Sequence, residues 1–257
     1  MHKQSLYVGT DWLIYAGLNG YEYSEMLSPA VLLGAADGPL VCQWTDGIVT
    51  SSCLLHPAGV WSSLKAPTFI LIYFEPVSAA GSTLQRFLGA PSELRPLLKY
   101  LGDHPQTIAK IMDATFTSSE ATHLIEKVRI GLEKLLGVKP EDPRVRRVAE
   151  ALSENPAGRL DLKCLAKIAN LSTNRLRHLF KMQTGTTLSK YKSWRQIHTM
   201  LCHLVKTRGS IYDWRTQGAL QSAGFYDDSH GYRTISQYFG PRSSMYDLDL
   251  ILINCLE

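Results

Sequence analysis

Two short sets of polar side chains near the C-terminal end of the chain have the chemistry needed to read nucleic-acid bases. Each set begins an amphipathic segment and occupies the positions between its apolar residues. In the major groove an asparagine suits adenine and an arginine suits guanine, because each forms a pair of hydrogen bonds with that base. The first set is Thr173, Asn174, Arg177 and His178, and the second is Asp228, Ser229, Tyr232 and Arg233. We predict that these side chains contact duplex DNA.

A pattern typical of a helix–turn–helix unit surrounds each set. Such a unit needs small residues where its helices cross, a tight turn, and an apolar residue that holds the second helix against the first. Residues 165–185 contain this pattern, and residues 219–240 repeat it with a shift of 54 residues at the start and 55 at the end. The turn and apolar residues are Asn170 and Leu171 in the first copy, and Gly224 and Phe225 in the second. Two copies predict contact with two successive turns of one duplex.

Basic residues are concentrated in the same part of the chain. Residues 140–246 contain 17 Lys and Arg against 8 Asp and Glu, a net charge of +9. Residues 1–139 contain 10 basic and 12 acidic residues, a net charge of −2, and residues 247–257 add three acids. This asymmetry indicates a polyanionic partner for the C-terminal half alone.

From about Arg144 to Tyr246 the chain resembles the AraC/XylS family of bacterial transcription regulators. The run Gly-Phe-Tyr-Asp-Asp-Ser-His at 224–230 is close to the family signature GF-x-D-x-SH. The other matching positions are Leu165, Ala166, Leu171, Ser172, Leu176, Leu179, Phe180, Gly185, Tyr191, Arg195, Arg233, Phe239 and Gly240. The resemblance implies two helix–turn–helix subdomains joined by one long helix, and an N-terminal cupin-like barrel that senses a small molecule or mediates dimerisation. Residues 54–60 and 73–76 resemble the barrel region.

The chain departs from the family pattern at several positions. His178 stands where the family usually has Arg, and Ser243 and Asp247 replace its common Pro and Arg. Residues 211–216 lack the usual spacing of apolar residues before the second unit. Gly231 replaces a core aromatic residue, and we expect it to leave a gap in the packing and to cost about 1 kcal/mol in mid-helix. The departures in and around the second unit predict a second subdomain that is less stable or that binds DNA less specifically, and His178 predicts a weaker, pH-dependent contact in the first.

The N-terminal half is predicted to begin with strands and to continue with helices. Segments rich in β-branched and aromatic residues at 13–15, 30–33, 40–44 and 69–74 are separated by turn signals, which favours a small sandwich or barrel. From about residue 82 the apolar period becomes helical, with the longest helix opening at 118–120. Pro140 and Pro143 bound a predicted interdomain linker.

A cupin-like barrel raises the alternative of a metal-dependent enzyme, which needs converging histidines and a carboxylate. The histidines of the N-terminal half are His2, His56, His104 and His123, and none forms an HxH pair. Ser62 stands where a histidine ligand would follow the Pro-x-Gly-Val segment. We therefore predict no metal site, no catalytic residue and no cofactor. Aromatic side chains in the strands suit either an apolar effector pocket or an ordinary core.

The five cysteines are odd in number and show no CxxC spacing, which favours a reducing compartment. No apolar segment approaches the ~20 residues of a membrane helix, and no secretory signal is apparent at the N-terminus. We therefore expect a cytoplasmic protein without membrane contact. The last residues, 248–256, are apolar, and we expect them to be buried as an added strand or strap, with a frayed terminus as the alternative.

The sequence thus predicts an α+β protein in three parts. Residues 1–139 form a cupin-like effector-sensing or dimerisation domain, residues 140–246 a double helix–turn–helix DNA-binding domain, and residues 247–257 an apolar tail. The predicted function is sequence-specific transcription regulation, as an activator or a repressor, controlled by a small-molecule effector of unknown binding site. The alternatives are an effector-independent regulator whose N-terminal domain only dimerises, and a cupin enzyme fused to a DNA-binding domain. Double-stranded DNA is the expected partner; a small-molecule effector, a second copy of the chain and, for an activator, RNA polymerase remain open.

Overall fold

Two β-sheets and a set of helices form the N-terminal part of the chain in the computed structural model, and helices dominate the C-terminal part. The structure describes residues 5–87, 89–138, 141–154, 161–207, 218–239 and 251–256. The predicted α+β class is confirmed. The strand segments indicated by the sequence at 13–15, 30–33, 40–44 and 69–74 all lie in observed strands.

The larger sheet has seven strands and the smaller sheet has four. Across the larger sheet the order is β10 (Ser92–Glu93), β7 (Cys53–His56), β4 (Ala30–Gly34), β9 (Thr68–Phe74), β2 (Trp12–Leu18), β1 (Ser5–Val8) and β11 (Ile251–Asn254). Across the smaller sheet it is β3 (Tyr21–Glu25), β8 (Trp61–Lys65), β5 (Leu40–Trp44) and β6 (Gly47–Ser51). The ladders are antiparallel except that between β1 and β11, which is parallel.

The helices follow the strands in two groups. The first group is α1 (Ala79–Phe87), α2 (Leu98–Leu101), α3 (His104–Met112) and α4 (Ser118–Leu136), with a short 3-10 turn at Arg95–Leu97. The second is α5 (Pro143–Glu154), α6 (Leu162–Ile168), α7 (Thr173–Thr184), α8 (Leu188–Lys206), α9 (Ala219–Ser222) and α10 (Asp228–Phe239). The helical segments expected in both halves of the chain are therefore observed.

Local capping signals fix where two of these helices begin. The Thr117 hydroxyl accepts a hydrogen bond from the backbone of Glu120, whose carboxylate accepts one from the backbone of Thr117, so α4 opens with a capping box. Helix α5 begins at Pro143, which the sequence assigned to the linker. That assignment is wrong for Pro143, because a proline fits the first position of a helix, where its missing N–H is not needed.

The two faces of the larger sheet contact different parts of the chain, because successive side chains of a strand point to opposite faces. On β2, Trp12 and Ile14 lie in one buried cluster with residues of α1, α3 and α4. The intervening Leu13 lies in another cluster, together with Trp194 and Ile197 of α8. Helix α8 therefore packs directly on the sheet.

The smaller sheet covers the rest of that second face, and the predicted barrel is not closed. Leu32 and Leu71 of the larger sheet pack in one cluster with Leu40 and Leu64 of the smaller sheet. Within the described residues, no backbone ladder joins the two sheets. Helix α8 lies on the part of the face that the smaller sheet leaves free, and β10 and β11 extend the larger sheet at its two edges. Strands β7 and β1 therefore pair with β10 and β11, and not with strands of the smaller sheet.

The cluster around α8 joins the two predicted domains in one core. It contains Leu6 and Val8 of β1 together with Leu176 of α7 and Ala219 of α9. On this side of the molecule, buried side chains from before and after the proposed boundary at residues 139 and 140 therefore pack together.

The C-terminal segment forms the strand β11, which confirms the prediction of an added strand for residues 251–254. Leu252 and Ile253 pair with Leu6 and Tyr7 of β1. Leu252 packs toward the cluster of α8, whereas Ile253 packs toward the cluster of α3 and α4. Residues 247–250 lie outside the described residues.

Candidate nucleic-acid interface

Helices α6 and α7 form the first of two helix pairs. The Asp161 carboxylate caps α6 by accepting a hydrogen bond from Cys164 N at 2.7 Å, and the Ser172 hydroxyl caps α7 by accepting one from Arg175 N at 3.3 Å. Between the helices Asn170 has φ 53°, and Leu171 N donates to Ala166 O at 2.9 Å. This left-handed residue turns the chain so that α7 crosses α6.

Helices α9 and α10 form the second helix pair with the same backbone geometry. Gly224 has φ 78°, and Phe225 N donates to Leu220 O at 3.0 Å. Asp227 Oδ1 accepts a hydrogen bond from His230 N at 2.6 Å at the start of α10. A shift of 54 residues superposes the turn residue and both ends of the turn hydrogen bond on their counterparts in the first pair. The predicted turn residues Asn170 and Gly224 are confirmed.

The predicted contact residues of the first pair lie on one outer side of α7. Asn174, Arg177 and His178 are exposed and Thr173 is half-buried. Arg177 Nη1 donates a hydrogen bond to Asn174 Oδ1 at 3.4 Å, so the two side chains lie together. The apolar residue between them, Leu176, is buried. Each exposed group remains accessible to a base or a phosphate.

The predicted contact residues of the second pair follow the same arrangement. Asp228, Ser229 and Arg233 are exposed at the start of α10. Arg233 Nε donates to Ser229 O at 3.3 Å, which holds the guanidinium along the helix. The side chain of Tyr232 lies outside the described residues, as do residues 211–216, Ser243 and Asp247.

Gly231 does not leave the gap that the sequence predicted. It is buried, and a Cβ atom added to it would lie 2.7 Å from Cδ2 of Leu220. The side chain of Leu220 on α9 therefore fills the space that an aromatic residue would occupy. Leu220 of α9 thus supplies the bulk that the family pattern places at position 231 of α10.

A basic cleft between α5 and α7 contains two cations that sequence reasoning missed. Its volume is about 420 Å³, and it is lined by Arg144, Leu171, Asn174, Arg175, His178 and Leu179. Arg175 directly follows the predicted contact residue Asn174, which is a signal that the sequence offered. Arg144 lies on a different helix, and only the tertiary structure brings it to α7.

The linking helix α8 is held against the sheets by two buried carboxylates. Glu25 at the end of β3 accepts a hydrogen bond from Lys190 Nζ at 2.5 Å. Glu75, which follows β9, accepts hydrogen bonds at Oε2 from Arg195 Nη1 at 2.7 Å and Trp194 Nε1 at 3.0 Å. Since α8 also joins the two helix pairs, these contacts link the sheets mechanically to both.

The Glu75 contact leaves two polar atoms without partners. Among the described residues, Glu75 Oε1 and Arg195 Nε are buried and form no hydrogen bond. Burial alone would lower the pKa of Arg195, but the Glu75 carboxylate raises it above its ordinary value, so the guanidinium stays charged. The pair is therefore a full ion pair in a setting with little water.

His198 on α8 is buried in the same interface between the helix and the sheets. Its Nε2 lies 2.9 Å from Gly9 O, and its Nδ1 lies 3.6 Å from Cys202 Sγ. Burial, and secondarily the charge of Arg195, lower the pKa of His198 to about 4. The imidazole is neutral at pH 7, with Nε2–H donating to the Gly9 carbonyl.

The histidine of the sheets forms a closed set of hydrogen bonds. His56 Nδ1 lies 2.8 Å from Pro57 O and its Nε2 lies 2.7 Å from Ser62 Oγ, which in turn lies 3.1 Å from the Tyr21 hydroxyl. Burial lowers the pKa of His56 to about 4. Across the residues that the structure describes, no three His, Cys, Asp or Glu side chains lie close enough to hold a metal ion.

The fold defines a class of α+β protein in which two sheets and their helices precede two similar helix pairs. Within that class it is similar to ToxT from Vibrio cholerae. ToxT with bound unsaturated fatty acid, strain SCE256, has a TM-score of 0.56 at 9% identity, with 94% of this chain and 97% of ToxT covered. An apo variant of ToxT from the same strain has a TM-score of 0.58 at 11% identity, with 93% and 98% covered. ToxT from strain O395 bound to a naphthalenyl butenoic acid has a TM-score of 0.54 at 10% identity, with 89% and 95% covered.

At these identities the likeness is one of fold. The order of two sheets and their helices before two similar helix pairs agrees with the architecture that the resemblance to the AraC/XylS family implies. No family model matches the chain, and no curated protein has a significantly similar sequence. No helix in the described ranges is both long enough and apolar enough to cross a membrane.

Proposed function

We propose that the protein is a sequence-specific DNA-binding transcription regulator. The observation that supports this most strongly is the recurrence of one backbone geometry in two helix pairs. In both pairs a left-handed turn residue precedes an apolar residue whose N–H bonds five residues back. Both pairs expose polar residues at the start of their second helix, in the segment with net charge +9. A doubled basic unit of this kind suits two successive major-groove segments about 34 Å apart.

In this proposal α7 and α10 are the recognition helices of two helix–turn–helix subdomains within residues 140–246. Asn174 and Arg177 read base edges by paired hydrogen bonds, and Thr173 and His178 contact neighbouring groups. Asp228, Ser229, Tyr232 and Arg233 fill the corresponding roles in the second subdomain. One chain then reads an asymmetric site.

We further propose that residues 1–139 control DNA binding by binding a small molecule or a second copy of the chain. ToxT has been crystallised with a fatty acid, and an apolar ligand is the corresponding proposal for this chain. A ligand that prefers one arrangement of the sheets and α8 would change DNA affinity by linkage, because α8 joins the two subdomains. The protein acts without catalysis, in the cytoplasm, with RNA polymerase as a partner if it is an activator.

An effector-independent regulator is the second candidate, and the packing between the sheets favours it. Leu40, Cys42 and Leu64 are at most 1% exposed and fill the space opposite Leu32 and Leu54. The hydrogen bonds of His56, Ser62 and Tyr21 are made within the protein. In this case the N-terminal half contributes dimerisation alone.

Selection of bound sequences from a random duplex library by the full chain tests the proposal. We expect one asymmetric motif spanning two groove segments. Arg177→Ala should weaken binding by about 1–3 kcal/mol and relax the preference at one base position. Arg95→Ala, which removes an exposed arginine of the N-terminal half, is the matched control and should change nothing.

Failure to enrich any motif at low salt would overturn the proposal. A titration of the selected duplex with the full chain, with and without fatty acids or a metabolite extract, separates the two candidates. A change in DNA affinity on addition supports an effector, and constant affinity with a stable dimer supports the second candidate.

A further inference from the structure

Arg144 is held in a fixed orientation at the edge of the basic cleft. Its Nε donates to Asp142 Oδ1 at 3.0 Å, and its Nη2 donates to Asp142 Oδ2 at 2.7 Å. Such a two-point contact fixes the plane of the guanidinium as well as its position. The same Asp142 Oδ1 accepts a hydrogen bond from Arg144 N at 2.9 Å, so the carboxylate is itself fixed at the start of α5.

This pairing uses one edge of the guanidinium and leaves another edge directed away from Asp142. Nη1 of Arg144 is not used by the aspartate, and the side chain is 42% exposed. Across the cleft, Arg175 is exposed on α7, next to Asn174 and one turn before His178. The cleft thus presents two guanidinium groups beside the proposed base-reading side chains, with one carboxylate turned to the back of Arg144.

We propose that Arg144 and Arg175 bind phosphate groups of the DNA strand that borders the bases read by α7, and that Asp142 is a positioning residue for Arg144. This inference rests on the proposed function. Phosphate contacts fix the register of a protein on the duplex and carry no sequence information of their own. The two arginines therefore set affinity and alignment, whereas Asn174 and Arg177 set sequence preference.

The choice of phosphate over base follows from the placement of Arg144. It lies at the start of α5, on a different helix from the recognition residues, and its orientation is set by Asp142 before any DNA binds. A planar guanidinium held in this way suits the two oxygens of a phosphodiester. The apolar residues Leu171 and Leu179 also line the cleft.

The test is a set of salt titrations with the full chain on its selected site and on unrelated duplexes. Each phosphate contact that is lost should make the slope of log affinity against log salt less negative by about 1. For Arg144→Gln and Arg175→Gln we expect an affinity loss of about tenfold on all sequences alike, with this change of slope. Lys134→Gln removes one exposed positive charge from α4, at a residue that does not line the cleft, and should leave both quantities unchanged.

Two further variants separate the effect of the Arg144 orientation from the effect of net charge. Asp142→Asn keeps a capping side chain at the start of α5 and makes the protein more positive, which by charge alone strengthens DNA binding. We expect weaker binding, because Arg144 loses its two-point support. The double variant Asp142→Asn with Arg144→Gln has the net charge of the unaltered chain, and we expect it to bind as weakly as Arg144→Gln.

Each outcome bears on one proposal. If the unaltered chain binds no DNA, the proposed function fails first. If it binds DNA and Arg144→Gln behaves like Lys134→Gln, only the phosphate assignment is overturned. A changed preference at one base position would make Arg144 a base-reading residue and also overturn it. If Arg144→Gln leaves DNA binding unchanged but abolishes transcription in the presence of RNA polymerase, the cleft is a protein-binding surface. That result would also overturn the phosphate assignment.

Discussion

Glu75 and Arg195 form an ion pair across 120 residues of sequence, with Oε2 and Nη1 at 2.7 Å. The carboxylate side chain is 7% exposed and the guanidinium 18%. Both partners are thus largely removed from water, so each depends on the other for compensation of its charge. The pair connects the sheets to the helix that joins the two proposed DNA-reading units.

The first prediction concerns this pair. Glu75→Gln leaves the Arg195 cation largely buried without a counter-charge, and we expect the free energy of unfolding to fall by about 3 kcal/mol. Glu93→Gln breaks the exposed ion pair between Glu93 and Arg95, whose side chains are 41% and 63% exposed, respectively. This change should lower the free energy of unfolding by less than about 1 kcal/mol. Urea unfolding of both variants is the measurement. Equal losses would show that the buried pair contributes no more than a surface contact.

The second prediction concerns pH. The pKa values of His56 and His198 are lowered from 6.5 to about 4, because both are buried. Between these values the unfolded chain binds protons that the folded protein excludes, so stability is lost as pH falls from about 6.5 towards 4. The loss should approach roughly 3 kcal/mol for each histidine. Urea unfolding at a series of pH values measures it.

The control for this pH dependence removes one of the two buried histidines. His198→Gln should reduce the slope of stability against pH between about 4 and 6.5. An unchanged slope in His198→Gln would remove the buried imidazole as the cause.

The third prediction concerns the turn of the second helix pair. Gly224→Ala places a side chain at φ 78°, where a residue with a Cβ is strained by about 1–2 kcal/mol. We expect a loss of stability of that size and weaker DNA binding. Asn170→Gly alters the equivalent position, φ 53°, to a residue that tolerates it, and should leave the fold intact. Thermal unfolding and DNA titration of both variants are the measurements. If Asn170→Gly lost as much stability and DNA affinity as Gly224→Ala, strain at the turn residue would not be the cause.

The fourth prediction concerns the exchange of bulk between Gly231 and Leu220. On helix propensity alone, Gly231→Ala would stabilise α10 by about 1 kcal/mol. The contact of the added Cβ with Leu220 Cδ2 leads us to expect a net loss of about 1–3 kcal/mol instead. In the Leu220→Ala background the same change should cost less or stabilise. Additive effects in this double-mutant cycle would show that the two positions do not share one space.

The fifth prediction concerns the C-terminal strand. Removal of residues 251–257 exposes the edge of β1 and uncovers apolar side chains on both faces of the sheet. We expect a lower melting temperature and concentration-dependent self-association, measured by light scattering. Asn254→Ala keeps the strand and should behave like the unaltered chain. A truncated protein with unchanged melting temperature and mass would mean that β11 adds nothing to the fold.

Local signals in the sequence account for the two helix pairs. The turn hydrogen bonds join residues only five apart, as in Phe225 and Leu220, and the caps at Asp161 and Ser172 bond three residues ahead. Interactions of this range depend on residue type and spacing, which a sequence shows directly. The exposure of Asn174 and Arg177 follows from the helical period for the same reason.

The remaining features depend on contacts between residues far apart in the chain. Helix α8 lies on the larger sheet where the predicted barrel would have closed, Leu220 fills the space beside Gly231, and Arg144 reaches the cleft from another helix. In each case several arrangements satisfy the local pattern equally well. Burial of apolar surface and pairing of buried charges select among them, and these energies exist only once the whole chain has packed.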